Sequence, residues 1–264
     1  MADSHMKTFV CQLDLVWEDP SGNYDLVRSL LKGREDLKGG LIVLPAMLAT
    51  GFSMNVDAVT SGEPARTEDF LKSLAADTGA CVVGGMGAPA GGELGQNICL
   101  AVSPEGNRLV EYKKIHPFTF GGESKHYEAG QSVELFEWGG MKICPFICYD
   151  LRFPEIFRAG VRRGAEVFCV IANWPNRREM HWVNQLQARA IENQAFVVGV
   201  NRCGTDPYLE YSGRSMIVDP HGEILVDAGN GQTVVAYDLD LERVRVWRSQ
   251  FPLLDDMRFV DDSN

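Results

Sequence analysis

The chain has 264 residues, 45% hydrophobic and 23% charged, and a formal net charge of -11. That length suits one large α/β domain or two small ones, with enough apolar material for a substantial core. The acidity argues against nucleic acid or anionic membrane as partners, since both are held by basic surface, and no apolar run approaches a membrane span.

Residues 1–5 read as an expression leader, with Met6 as the natural start and no hydrophobic signal region after it. Residues 7–15 alternate weakly and read as a first strand. Residues 23–37 carry Leu26, Val27, Leu30 and Leu31 at helical spacing, with Asn23 as cap. Residues 41–44 are a buried strand ended by Pro45, and residues 46–52 form a loop at its C-terminal edge. Residues 67–76 predict a second helix. Residues 80–87 predict a strand entering a glycine-rich turn, with its hairpin partner over 96–103 and a further strand over 109–115. Gly84-Gly85-Met86-Gly87 is not a phosphate loop, because neither Lys-Ser/Thr nor a helix follows it.

Residues 116–130 form a glycine-containing loop with Glu123, Lys125, His126 and Glu128. Beyond it lie an apolar strand ending at Ile147, a helix over 153–163, a buried strand over 166–172, a long helix over 179–194 and a buried strand over 196–201. Two strands flank Pro220-His221-Gly222, a last strand covers 234–239, and a short helix follows over 241–248. The acidic tail over 255–264 either frays or reaches a partner chain. Alternating strands and helices, interspersed with hairpins, predict mixed sheets with helices on their outer faces. With no linker or repeat visible, residues 6–264 read as one domain.

The seven cysteines (11, 81, 99, 144, 148, 169 and 203) have no paired metal-ligand spacing, and the five histidines have none either. They read as reduced, cytosolic thiols. Cys148 differs from the rest in its setting. An apolar strand runs into Cys148-Tyr149-Asp150, and Pro154-Glu155 then opens a helix. A thiol on such a turn is a candidate nucleophile. The plainer reading is a small buried hydrophobe.

Three strand ends, Leu44-Pro45-Ala46-Met47, Tyr112-Lys113-Lys114-Ile115-His116 and Cys148-Tyr149-Asp150-Leu151-Arg152-Phe153-Pro154-Glu155, together resemble the nitrilase (carbon-nitrogen hydrolase) superfamily. Ala188-Arg189-Ala190-Ile191-Glu192-Asn193-Gln194 on the long helix supports it. The resemblance implies a four-layer α-β-β-α sandwich and hydrolysis of amides or nitriles through a cysteine thioester, with no metal or organic cofactor. It also implies a homodimer, whose contacts are expected at residues 153–163 and the C-terminal tail.

By position, the resemblance makes Cys148 the nucleophile, with Lys114 and the N–H of Tyr149 holding the oxyanion. Glu123 resembles the glutamate that orients the lysine, and Glu128 competes for that assignment. Ala46 stands where the family carries its general-base glutamate, and no carboxylate lies between residues 40 and 55. Loss of such a base costs about 10²–10⁴ in rate, so the chain is expected to be inactive or impaired. Ala46 is read first as a substitution made to trap a bound substrate, and alternatively as the mark of a natural non-catalytic, ligand-binding member.

Asn173-Trp174-Pro175-Asn176-Arg177-Arg178 resembles the bacterial ω-amidase branch, which implies a small ω-amide of a dicarboxylic acid such as 2-oxoglutaramate. A fork at Arg178 would suit the distal carboxylate, though Arg177 and Arg178 also fit simple solvation of a helix start. N-carbamoyl compounds or nitriles are the narrower alternatives. Phe118, Phe120, Tyr127 and Trp174 are candidate apolar walls. Asp150, Arg152 and Glu155 are expected to hold the Cys148 turn through charge pairs, with Arg189 and Glu192 as partners.

Overall fold

The computed structural model describes residues 5–258. The first half runs β1 (His5–Gln12), α1 (Pro20–Leu31), β2 (Leu41–Val43), α2 (Val56–Thr60), α3 (Glu63–Thr78), β3 (Cys81–Pro89), β4 (Gly95–Val102), β5 (Arg108–Lys113) and β6 (Tyr127–Glu128). It continues with β7 (Phe136–Trp138), β8 (Met141–Ile147), α4 (Pro154–Arg162), β9 (Val167–Ala172), α5 (Glu179–Asn193) and β10 (Phe196–Asn201). The remainder is β11 (Cys203–Thr205), β12 (Glu210–Ser212), β13 (Met216–Val218), β14 (Ile224–Asp227), β15 (Thr233–Asp240) and α6 (Leu241–Gln250).

These strands make two mixed sheets. The first has the order β15-β1-β2-β3-β4-β5, with β6 beside β4, and the second has β14-β13-β10-β9-β8-β7. Each has a parallel triplet at its centre, β1-β2-β3 or β8-β9-β10, joined by helical crossovers and flanked by antiparallel strands. Both faces of those triplets are covered, which is why their sequences are continuous apolar runs. Side chains such as Val43, Cys99, Ile147 and Ile171 fill the space between the sheets. On the outer side of the first sheet, Val27 and Leu31 of α1 and Phe70 and Leu74 of α3 pack onto Phe9, Ile42 and Val82. On the outer side of the second, Leu186 and Trp182 of α5 close over Gly199 so tightly that a Cβ there would lie 2.5 Å from Leu186. The result is the expected four-layer α-β-β-α sandwich. Among the described residues no helix is long and apolar enough to cross a membrane.

Several boundaries differ from the sequence reading. Helix α1 starts at Pro20, capped by Asp19 Oδ1 accepting from Gly22 N at 3.0 Å. Asn23 is not its cap. It is fully buried, donating to Val16 O and Ala49 O and accepting from Val16 N, and so ties the β1–α1 loop to the loop after β2. Strand β3 matches the strand expected over 80–87, with Gly84, Gly85 and Gly87 inside it, and runs two residues further before the chain reverses over residues 90–94. The short strands β7, β11 and β12 have no clear sequence signal. Of the segment set aside as a leader, residues 1–4 lie outside the described residues, while His5 already pairs with Asp240. The tail forms a 3₁₀ turn at Leu253–Asp256, and residues 259–264 lie outside the described residues.

Candidate active site

Strand β8 ends at Ile147, and the chain turns at once. Cys148 has φ +50° and opens a 3₁₀ turn, Cys148–Arg152, that leads into α4 with Pro154 in its first turn. A left-handed backbone at a non-glycine residue costs about 1–2 kcal/mol and needs support from its surroundings. Asp150 supplies that support. It is fully buried, and its Oδ2 accepts from Ile147 N at 3.1 Å and Tyr112 OH at 2.7 Å. Its Oδ1 accepts from His116 N at 2.9 Å and meets His116 Nδ1 at 2.9 Å. The His116 ring in turn stacks on Phe153 at 3.7 Å. The end of β5 therefore holds the turn.

The expected partners Arg189 and Glu192 do a different job. Arg189 donates twice to Leu151 O, at 3.1 and 2.8 Å, and pairs with Glu192 on its own helix. They support the turn through its backbone and not through Asp150. Glu155 is exposed. Arg152 lies 4.6 Å over the Trp174 ring, with His181 Nδ1 at 3.2 Å, and no carboxylate partner among the described residues.

Lys114 follows β5 and is 1% exposed. Its Nζ donates to Glu123 Oε2 at 2.6 Å. Glu123 is itself fully buried and accepts from Phe118 N at 2.5 Å and Asn97 Nδ2 at 3.0 Å. Glu128 sits exposed on β6, so of the two candidate glutamates only Glu123 reaches the lysine.

The loop after β2 is bound to the edge of β3, with Gly85 N donating to Pro45 O and Leu48 N to Gly85 O. This close approach explains the glycine: a Cβ on Gly85 would lie 2.5 Å from Ala46 Cα. Ala46 is buried in the core between the sheets, and Met47 after it has φ +46°. The second sheet reaches the same loop through Asn173 at the end of β9. Asn173 Nδ2 donates to Ala46 O at 2.8 Å, and Asn173 O lies 3.8 Å from Cys148 Sγ as acceptor. One asparagine thus links the Ala46 loop to the thiol. Nothing in its sequence context marked Asn173 beyond its place before Trp174-Pro175.

Burial is the largest influence on both ionisable groups at the centre. It pushes the Cys148 thiol up; Lys114 opposes this and Glu123 adds to it, leaving the thiol above its ordinary value. Burial acts to lower Lys114, but Glu123, Cys148 and Asp150 outweigh it and hold the ammonium above its ordinary value. A charged lysine beside a thiol can receive negative charge developing on an attacked carbonyl. The N–H of Tyr149, in the first turn of the 3₁₀ segment, has no partner within that turn.

Cys148 opens into a cavity lined by Phe52, Phe118, Arg152, Trp174, Arg178 and Leu209, among others. Arg178 caps nothing with its side chain, and its guanidinium lies 5.2 Å over the Phe118 ring. Burial, then Arg177 and Arg152, lower its pKa, and it has no carboxylate partner among the described residues. Trp174 is fixed by Nε1 donating to Arg178 O at 2.8 Å, and Asn201 brackets its backbone from β10. Tyr127 departs from expectation. It is 1% exposed, packs with Met47 and Val59, and donates to Ser53 O at 2.6 Å, so it holds the β2 loop from behind and does not line the cavity. Phe120 is 83% exposed at the outer rim. Phe52 and Leu209 were missed because each reaches the cavity from a distant loop. Among the described residues no group of three or more His, Cys, Asp or Glu side chains could hold a metal ion.

Residues 8–249 match the carbon-nitrogen hydrolase family model. The chain is 34% identical over 248 residues to 2-oxoglutaramate amidase of Bacillus subtilis, covering 94% of this chain and 95% of the relative. It is 37% identical over 258 residues to the ω-amidase YafV of Yersinia enterocolitica, covering 96% and 97%. A crystal structure of XC1258 from Xanthomonas campestris, a CN-hydrolase superfamily protein with an arsenic adduct in the active site, superimposes with a TM-score of 0.89 at 34% identity, covering 97% and 98% of the two chains.

Proposed function

The chain belongs to the carbon-nitrogen hydrolase family, and we propose that residues 6–264 form one amidase domain that hydrolyses small ω-amides of dicarboxylic acids to the acid and ammonia. The observation that carries the reading is the convergence of Cys148, the Lys114–Glu123 pair and two arginines without carboxylate partners among the described residues, Arg152 and Arg178, about one cavity. In this reading Cys148 Sγ attacks the amide carbonyl, while Lys114 Nζ and Tyr149 N–H hold the oxyanion. Glu123 keeps Lys114 charged and aimed. The distal carboxylate of the substrate lies against Arg178, with Trp174 and Phe118 as apolar walls. The relatives' printed activities, 2-oxoglutaramate amidase and ω-amidase, support this substrate class.

Ala46 occupies the position of the general base, so the thiol proton has no carboxylate to go to, and the chain as it stands is a base-deficient form. The same reading carries a homodimer, with α4 and the end of the chain at its contact, and a cytoplasmic location, supported by seven cysteines free of disulfides.

Ammonia release by the Ala46→Glu protein across a panel tests the substrate class. Turnover of 2-oxoglutaramate and succinamate well above that of neutral amides supports the proposal. Preference for nitriles or N-carbamoyl compounds would replace it. Tight binding with no turnover would favour the ligand-binding alternative.

A further inference from the structure

The cavity beside Cys148 measures about 30 Å³, the share of about one liquid water, and is too small to enclose an acyl chain. A second cavity of about 560 Å³ adjoins it. Phe52, Phe118 and Leu209 belong to the walls of both, so the passage between them is apolar. The outer chamber then turns polar, with Glu18, Arg177 and Asp206 on its walls.

We propose that the outer chamber is a second carboxylate site, serving ω-amides of longer dicarboxylic acids: their methylene chain threads the apolar passage, and Arg177 holds the distal carboxylate. This rests on the amidase reading above and extends its substrate class beyond the short acids that Arg178 serves.

Three observations select that occupant. The first is charge. Asp206 accepts from Tyr208 N, Leu209 N and Tyr211 OH, and the buried Arg202, 4.4 Å over the Tyr211 ring, offsets its charge. Glu18 accepts from Ser53 Oγ at 2.5 Å. The Arg177 side chain has neither a hydrogen-bond nor an ion-pair partner among the described residues, in a chain with 36 Asp and Glu against 25 Lys and Arg. The chamber therefore offers one uncommitted charge, and it is a cation suited to a carboxylate.

The second is position. Arg177 and Arg178 are neighbours on one 3₁₀ turn, Asn176–Arg178, and the Arg178 guanidinium lies 5.2 Å over the ring of Phe118, a residue of the passage. An acid end that extends past Arg178 into the outer chamber meets Arg177. The third concerns the leaving nitrogen, which belongs beside position 46, where the thiol proton is relayed. Asn173, which bonds Ala46 O, lines the inner cavity and not the outer one. The nitrogen side of the scissile bond thus faces inward, and the acyl side is left for the chamber.

The test is calorimetric titration of the chain as it stands, and of its Arg177→Ala variant, with succinamate, with the longer monoamide suberamate and with the methyl ester of suberamate. Arg177 is exposed, so the variant should fold. The ratio of suberamate to succinamate affinity should fall about tenfold in Arg177→Ala, from loss of one charge-assisted hydrogen bond. The ester keeps the length and loses the charge, so it should bind the parent chain about tenfold more weakly than suberamate and be indifferent to Arg177→Ala. A ratio that Arg177→Ala leaves unchanged overturns the proposal, as does an ester that responds as strongly as the acid. So does an Arg177-dependent gain shown instead by N-acetyl-4-aminobutanoate, which carries its carboxylate on the nitrogen side. Turnover by the Ala46→Glu protein separates the two readings. Succinamate hydrolysis without an Arg177-dependent gain for suberamate removes only the outer site. That gain with neither compound hydrolysed removes only the amidase assignment.

Discussion

Lys114 and Glu123 form a buried ion pair at 2.6 Å, with the lysine 1% exposed and the glutamate fully covered. The pair survives burial because Glu123 spends its remaining acceptor capacity on Phe118 N and Asn97 Nδ2. Breaking such a pair from one side leaves an uncompensated charge and costs about 3–5 kcal/mol. Glu123→Ala should lower stability by that amount in urea titration. Lys114→Met combined with Glu123→Leu should cost much less than the sum of the single changes. Additive losses would show that the two residues are not coupled.

The pH dependence follows with a definite sign. Lys114 is held above its ordinary value in the folded chain, where burial alone would lower it and Glu123 and its neighbours reverse that. The pair's contribution is therefore complete below the ordinary lysine value of about 10.4 and is lost as the pH rises through the folded value. Stability of the chain as it stands should fall more steeply above that pH than stability of the double variant just described.

Cys148 gives a second pH signal. With its thiol raised above its ordinary value, chiefly by burial, only a small fraction is thiolate at neutral pH. Alkylation of Cys148 by iodoacetamide, followed by mass spectrometry, should rise about tenfold per pH unit from 7 to 9 without levelling. A plateau below pH 8 would mean that the thiol is already activated without a carboxylate at position 46.

How far these groups were legible in the sequence depends on the range of the contacts involved. The apolar runs ending at Val43, Ile147 and Ala172 announced the buried strands, and the motifs at Lys114 and Cys148 stood directly after strand ends. Glu123 could be proposed but not separated from Glu128, because a five-residue difference on a loop decides only in three dimensions which one turns inward. Gly85 was placed in a strand, but the reason for a glycine there was not legible. Its role, letting the Ala46 loop lie on β3, depends on a segment about forty residues earlier. Asp150 was given the wrong partners for the same reason: Tyr112 lies in the other sheet and His116 in the loop that leaves it. Tyr127 looked like a wall because aromatic composition does not reveal which way a ring points.

Gly85 supplies a test of that packing. A methyl group there would meet the Ala46 backbone at 2.5 Å, and backbone cannot yield as a side chain can. Gly85→Ala should cost about 1–3 kcal/mol, the usual penalty of overpacking, measured by thermal unfolding. A neutral result would show that the β2 loop is looser than its hydrogen bonds to Gly85 imply.

Arg178 is the specificity group in this account. In the Ala46→Glu background, Arg178→Ala should raise KM for 2-oxoglutaramate and succinamate by about 10- to 100-fold, from loss of a charge-assisted hydrogen bond worth about 1.5–3 kcal/mol. Turnover of a neutral amide of similar length should hardly change. An equal loss on both substrates would assign Arg178 to structure, through Trp174 and Phe118, and not to recognition.

The central claim is that the site is complete except for the carboxylate at position 46. The direct measurement is ammonia release from 2-oxoglutaramate by the chain as it stands, by the Ala46→Glu protein and by the Ala46→Glu, Cys148→Ser protein. The account predicts a gain of about 10²–10⁴ on introducing the glutamate, abolished when Cys148 is replaced. A folded Ala46→Glu protein no faster than the parent chain, or one whose activity survives loss of Cys148, would contradict it.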